Sequence, residues 1–336
     1  MNPIYFFTFT FFSIISFIGI KSPYPFNLVP ILFVFIGIPV FDLIVGENKS
    51  NANLEQEKRW KSPWVWGPAV YFYVVTHFLI LFYSLSNSIH LTWNNLVIGA
   101  VAIGLYTGGL GITVAHELCH KKEKLPRFVA DLLLASVCYQ HFAIEHIRGH
   151  HFQVATQEDP ASSRKDEASY PFLLRTIKGS FFHAFQLDKF GVMKGVVLAL
   201  IFAVSAFVFD VKAGAFFVIQ SLVAIVLLEL VNYVEHYGLS RNKLDNGRYE
   251  KVLPIHSWNS AHKFSNLILF NLQRHSDHHA MVHLPYTVLK HQEAAPQLPT
   301  GYPGMIMLAL VPPLWFQVMN PKVIEAQKFQ NKNQSS

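Results

Sequence analysis

Long uncharged runs alternate with polar segments along the chain. Residues 2–20 carry no charged side chain, and a second run covers 25–46 with Asp42 as its one charge. A third covers 66–87 and a fourth 95–115. At 1.5 Å per helical residue, each is long enough for a hydrocarbon core of about 30 Å. Residues 193–236 are mostly apolar, with Asp210-Val211-Lys212 in the middle, which predicts two more spans joined by a tight polar turn. No basic residue precedes Lys21, so the first run is expected to be a retained helix, not a cleaved signal. Gly104, Gly108, Gly109 and Gly111 fall in the fourth run. No strand precedes them, so close helix packing explains them better than a phosphate loop. Of the shorter apolar stretches, 128–144 predicts a buried or interfacial helix and 304–318, with Pro312-Pro313, an interfacial one.

The expected fold is all-α: a six-helix transmembrane bundle with a helical, histidine-rich cytoplasmic cap holding a di-metal site. Residues 1–115 form spans one to four, and 116–192 a cytoplasmic segment. Residues 193–236 form spans five and six, and 237–322 a second cytoplasmic segment. The polar tail 323–336 is expected to be disordered. Composition agrees: 51% of residues are hydrophobic and 14% charged, against about 25% charged in soluble domains. With an N-terminus in the cytoplasm, the far-side loops hold only Lys21 and Lys212 of the 27 basic residues, as the positive-inside bias requires. The excess of six positive charges therefore lies beside membrane segments, which argues against a nucleic-acid partner. Parity puts the ends of spans four and six on one face. Both termini and the metal site are expected on the cytoplasmic side of a bacterial inner membrane.

Seventeen histidines change the picture, because they are unevenly placed. His116 and His120 stand at i and i+4, one turn apart on a helix face. His146, His150 and His151 follow at i, i+4 and i+5, and His275, His278 and His279 at i, i+3 and i+4. His236 adds one at the end of span six. A lone histidine is usually a packing or surface residue, but nine in four compact clusters are not explained that way. One metal takes four to six ligands, so nine imply two metals. Imidazole does not choose among iron, zinc and copper. Nine neutral ligands leave about four positive charges on two divalent ions, so carboxylates are expected to accept the outer ring N–H groups. Glu117, Glu145, Glu235 and Asp277 each adjoin a candidate ligand, and Asp159 follows the second cluster. These five are the candidate outer-shell and proton-relay acids. His116-Glu-Leu-Cys-His120 also matches the HExxH zinc-protease signature, but a protease needs one further ligand, not seven. Cys119 and Cys138 supply neither a disulfide framework nor an iron–sulfur motif.

HELCHK (116–121), EHIRGHH (145–151) and LQRHSDHH (272–279) together resemble the three boxes of the histidine-rich membrane di-iron superfamily, which includes fatty-acid desaturases. NYVEHYGL (232–239) resembles the motif that separates alkane and xylene hydroxylases from desaturases. GRYE (247–250), HSWNS (256–260) and LPTGYPG (298–304) extend the similarity to the membrane alkane monooxygenases. It covers roughly 100–322, and the N-terminal third by topology only. Cys119 departs from the small glycine usual there.

The resemblance implies the fold, two non-haem iron ions, dioxygen as co-substrate and hydroxylation of a terminal methyl of medium- or long-chain alkanes or related alkyl chains. It implies that His116, His120, His146, His150, His151, His236, His275, His278 and His279 are the ligands. His262 is the remaining histidine most worth testing. With no flavin, nicotinamide or iron–sulfur motif in the chain, electrons must come from outside. The resemblance implies rubredoxin, fed by rubredoxin reductase and NAD(P)H. Arg148, Arg164, Lys165, Arg241, Lys243, Lys251 and Lys263 are candidates for docking an acidic donor, although the positive-inside bias alone also explains them. Phe33, Phe35, Ile38, Leu105 and Leu110 are candidate channel residues for a substrate arriving through membrane lipid. Rival readings are a fatty-acyl desaturase or aromatic-methyl hydroxylase, a membrane HExxH zinc protease, and a non-catalytic metal-binding protein.

Overall fold

In hydrocarbon a helix is the one open element that satisfies its own backbone groups, and the apolar runs fold accordingly. The computed structural model describes residues 1–334, in which helices are joined by loops and β-pairing is limited to isolated bridges. Six helices are long and apolar enough to cross a membrane: Pro3–Lys21, Phe26–Val45, Pro63–Ser88, Trp93–Cys119, Lys189–Phe209 and Val211–His236. They match the expected spans closely. Asp210 makes the turn between the last two: its backbone is extended, and its carboxylate accepts the Lys212 N–H at 2.7 Å, capping the sixth span.

The spans are unequally enclosed. The fourth is 78% buried and the fifth 17%, so the fourth is central and the fifth faces outward. Glycine lets the fourth and sixth approach. A Cβ on Gly108 would stand 2.7 Å from Ala224 Cα, and one on Gly104 2.6 Å from Val223 Cβ. Thr107 donates to Gln220 Oε1 at 2.8 Å, and Gln220 Nε2 donates to the Ser136 carbonyl at 2.8 Å. These two locked helices end in the first histidine pair and in His236. At their other ends, Lys212 Nζ donates to the carbonyls of Ile89 and Leu91, in the turn between spans three and four. The far-side turns therefore gather at one end and the histidines at the other.

The cap departs from expectation in two places. The stretch 128–144 is not one helix. Lys124–Ala135 ends, Cys138 takes φ 57, and a helical segment restarts at His141. The break is held from below, since Ser136 Oγ lies 2.9 Å from His77 Nε2 and its carbonyl receives Gln220. The polar tail is not disordered over the described residues: Pro312–Gln334 is one helix. Val323 is fully buried, and Gln330 donates to the Ser240 carbonyl and Glu250 Oε1, so the helix is docked on the 240–250 loop. Residues 335 and 336 lie outside the described residues.

Gly108→Ala is expected to destabilise the bundle by about 1–3 kcal/mol through overpacking against span six. Gly109→Ala meets only ordinary contact with Leu227 and is expected to be neutral or slightly stabilising. Thermal unfolding of the two variants in detergent checks the difference.

Candidate metal centre

Span four delivers His116 and, at its C-cap, His120; span six delivers His236, and the cap helices deliver the rest. Their imidazoles form two groups. His116, His120, His146, His151 and His278 make the first, and His150, His236, His275 and His279 the second; within each, the ligand atoms lie within 4.8 Å of one another. Helical phase explains the split. His116 and His120 share a group at i, i+4, as do His275 and His279, while His278 turns to the other side. Residues His146–His150 form a π turn, in which residues five apart are stacked. His146 therefore pairs with His151, and His150 crosses to the second group. An α-helical reading of EHIRGHH misses this exchange.

The ring nitrogens are too crowded for hydrogen bonds alone. His151 Nε2 lies 3.3 Å from His120 Nε2, 3.0 Å from His146 Nε2 and 3.2 Å from His278 Nε2. His275 Nε2 lies 3.2 Å from His236 Nε2 and 2.9 Å from His279 Nε2. One proton cannot serve three lone pairs. His116 Nε2 and His150 Nε2 are buried with no hydrogen-bond partner. A cation at the centre of each group satisfies all of these atoms. Nitrogens bound at about 2.0–2.1 Å would stand roughly 3–4 Å apart, as these do.

Protonation suits that role. Burial, and then the neighbouring imidazoles, hold His146, His151, His275, His278 and His279 well below the usual range. Burial, with Lys121 beside it, lowers His120 to about 3. These rings offer lone pairs at neutral pH. His150 differs: burial disfavours its charge, but the Asp159 carboxylate, together with Glu145 and Glu235, lifts it to about 9. His150 Nδ1 lies 2.8 Å from Asp159 Oδ2, which leaves Nε2 aimed into the second group.

Of the five candidate acids, Asp159 alone sits on an outer ring nitrogen. Glu235 is placed differently: its Oε2 lies 3.2 Å from His275 Nε2, on the side where the second group converges, and its Oε1 accepts the Tyr302 hydroxyl at 2.7 Å. The other three are paired elsewhere, which corrects the expectation. Glu117 takes Lys121 Nζ at 2.5 Å and the Tyr286 N–H, and Glu145 meets His183 Nδ1 at 3.2 Å. Asp277 takes the Lys290 N–H and Gln292 Nε2. Each adjoins a histidine in sequence, and neighbours on a helix point about 100° apart. Cys119 Sγ turns back to the His116 carbonyl at 3.1 Å. His262 lies outside both groups, its Nδ1 2.8 Å from Ser260 Oγ.

A cavity of about 70 Å³ lies between the bundle and this centre. Phe12, Val34, Ile38, Leu105, Leu110, Leu227 and Leu228 form apolar wall, and His116, His146, His275, Glu235, Asn232 and Tyr302 line its polar part. Ile38, Leu105 and Leu110 are thus among the lining residues. Phe33 and Phe35 do not line it, because Val34 and Ile38 share the inward face one turn apart. Phe33 instead packs its ring on Phe12. Asn232 and Tyr302 had no separate signal in the sequence beyond their place in NYVEHYGL and LPTGYPG.

Among the basic candidates, Arg148 pairs with Asp188 at 3.1 Å, and Arg241 donates to the Phe152 carbonyl. Arg241 and Lys243 both lie over the Tyr249 ring. Arg164, Lys165 and Lys251 are exposed and Lys263 is half-buried. Phe152, 71% exposed, follows His151 directly, and His120 and His151 are the ligand candidates that reach partway to the surface.

The model of the fatty acid desaturase family matches residues 91–309. The chain is 42% identical to alkane 1-monooxygenase 2 of Pseudomonas aeruginosa, over 91% of this chain and 86% of that protein. It is 45% identical to alkane 1-monooxygenase 1 of the same organism, over 66% and 62%. It is 40% identical to alkane 1-monooxygenase 2 of Alcanivorax borkumensis, over 87% and 81%.

Asp159→Asn is expected to lower metal affinity by about 10- to 100-fold, as loss of a ligand's hydrogen-bond partner usually does. Asp277→Asn, away from the rings, is expected to leave it within a few-fold. Metal content of the purified proteins after graded chelation checks both.

Proposed function

We propose a function from the premise that the chain belongs to the fatty acid desaturase family and, within it, to the alkane 1-monooxygenases. It is a membrane monooxygenase that hydroxylates the terminal methyl of an n-alkane to a primary alcohol. The alkane, dioxygen, two electrons and two protons give the alcohol and water. The observation that carries this reading is the apolar cavity that ends between the two imidazole groups. A protease site has no use for nine converging imidazoles.

The nine histidines would hold two iron ions, five around one and four around the other. When bound, they supply the redox chemistry with dioxygen that no side chain supplies. The chain's own residues do the remainder. Leu105, Leu110, Leu227 and Leu228 hold a thin alkyl chain and exclude water. Its free end points toward His116, His146 and His275. The higher similarity to alkane 1-monooxygenases than to the xylene/toluene monooxygenase hydroxylase component of Pseudomonas putida favours a linear chain over a methyl-arene. Asp159 fixes the tautomer of His150, and Tyr302 holds Glu235 against the second group.

Electrons arrive from a separate donor, and rubredoxin fits the basic cap. Docking over Phe152, flanked by Arg148 and Arg241, would bring its metal close to His151. The site would then face the cytoplasm of a bacterial inner membrane, with Lys21 and Lys212 on the far side.

Iron-loaded protein supplied with rubredoxin, its reductase, NADH and a ladder of alkanes is expected to give 1-alkanols by mass spectrometry; an alkene product would reject the reading. His150→Ala and His278→Ala are expected to abolish turnover. Phe12→Ala, at the membrane end of the cavity, is expected to shift the preferred alkane to longer chains, read from product ratios. Raising salt from about 50 to 500 mM is expected to raise the KM for rubredoxin several-fold. Arg241→Glu should do the same at low salt, with kcat little changed. A salt-independent KM would reject the docking face.

A further inference from the structure

A second cavity lies outside the site described so far. It is a groove of about 470 Å³ between the helix Ser169–Leu187 and spans five and six. Its wall is apolar, with Phe181, Val192, Val196, Leu200, Ala203 and Ile225 along it. It lies on the outward-facing fifth span and so is accessible from the bilayer. One end is polar: Gln140 and His141 line it, and the exposed Lys178 stands at its rim.

The polar end is incomplete as it stands. Gln140 is 7% exposed and His141 8%, and Gln140 Nε2 and His141 Nε2 are both buried without a hydrogen-bond partner. A buried donor left unsatisfied costs about 1–3 kcal/mol, and two adjacent ones in one groove call for a shared acceptor. Gly195 permits the arrangement, since a Cβ there would stand 2.8 Å from Gln140 Cβ. Burial lowers His141 to about 4, so at neutral pH the ring is uncharged, and its Nε2–H tautomer is the one that offers a donor here.

We propose that this groove binds a long-chain fatty carboxylate. The acyl chain lies along Val192–Ala203, and the carboxylate accepts from Gln140 and His141 with Lys178 at its edge. A carboxylate fits better than a phospholipid head. The donors are more than nine-tenths buried, and a phosphodiester with its glycerol is too bulky to reach them. The cation at the rim favours an anion over an alcohol. The site is separate from the alkane cavity, because the two share no lining residue.

The test uses the full-length protein in nanodiscs with a photoreactive diazirine analogue of palmitate. Cross-links are expected to saturate and to map to 177–182 and 192–203. Unlabelled palmitate should displace them at least tenfold more effectively than hexadecanol or phosphatidylglycerol. Gln140→Leu combined with His141→Leu is expected to reduce labelling about tenfold, and Lys178→Glu several-fold. Ala203→Trp fills the half-exposed groove wall without touching the polar end and should reduce labelling equally, which keeps the test decisive if the double variant fails to fold. Unsaturable labelling, or labelling unchanged by Ala203→Trp, would overturn the site. Equal displacement by hexadecanol or phosphatidylglycerol would overturn the carboxylate as ligand. None of these outcomes depends on turnover of an alkane.

Discussion

The structure depends on bringing nine imidazoles to one depth at one membrane face. Each ring is buried or nearly so, and their nitrogens crowd to about 3 Å. Such a cluster is costly without a cation, since buried lone pairs would face one another. It is held open by helices that have few alternatives. Span four is enclosed almost throughout, and its glycines press it onto span six. Since both helices end at the cluster, their packing in the bilayer sets the position of His116 and His236.

Much of this was legible in the residues. Six mostly apolar runs of spanning length gave the bundle, because hydrocarbon leaves the backbone little choice. The four histidine clusters, with the parity of the spans, placed all nine rings on one face. What was not legible depends on tertiary detail. The π turn at His146–His150 exchanges the partners of His150 and His151, and no local composition marks it. Glu117, Glu145 and Asp277 looked equivalent to Glu235 as neighbours of ligands. Only packing separates an acid that meets Lys121 or His183 from one that meets His275. The tail looked disordered by polarity. It is helical because Val323 and Gln330 find partners that lie about 90 residues earlier.

The two cavities show how a membrane enzyme divides its surface. The first cavity runs inward among the central spans behind an apolar wall. The groove on span five is larger and opens on the outward-facing helix, with its polar groups at one end. A pocket with two unsatisfied donors discriminates by chemistry, because a ligand without acceptor oxygens leaves them unpaired.

The charge around the centre is distributed unequally. Two divalent ions held by neutral imidazoles carry about four positive charges in a poorly solvated place. Two carboxylates touch the ligand rings, and both belong to the second group: Asp159 on His150 and Glu235 on His275. The first group has five imidazoles and no carboxylate in such contact, since Glu117 is bound to Lys121. An ion in the second group would therefore be better neutralised than one in the first. In the first group, His120 and His151 are the candidate ligands that approach the surface. Ligand count and carboxylate placement thus make the two groups chemically unequal: five imidazoles with no carboxylate on their rings, among the described residues, against four imidazoles with two.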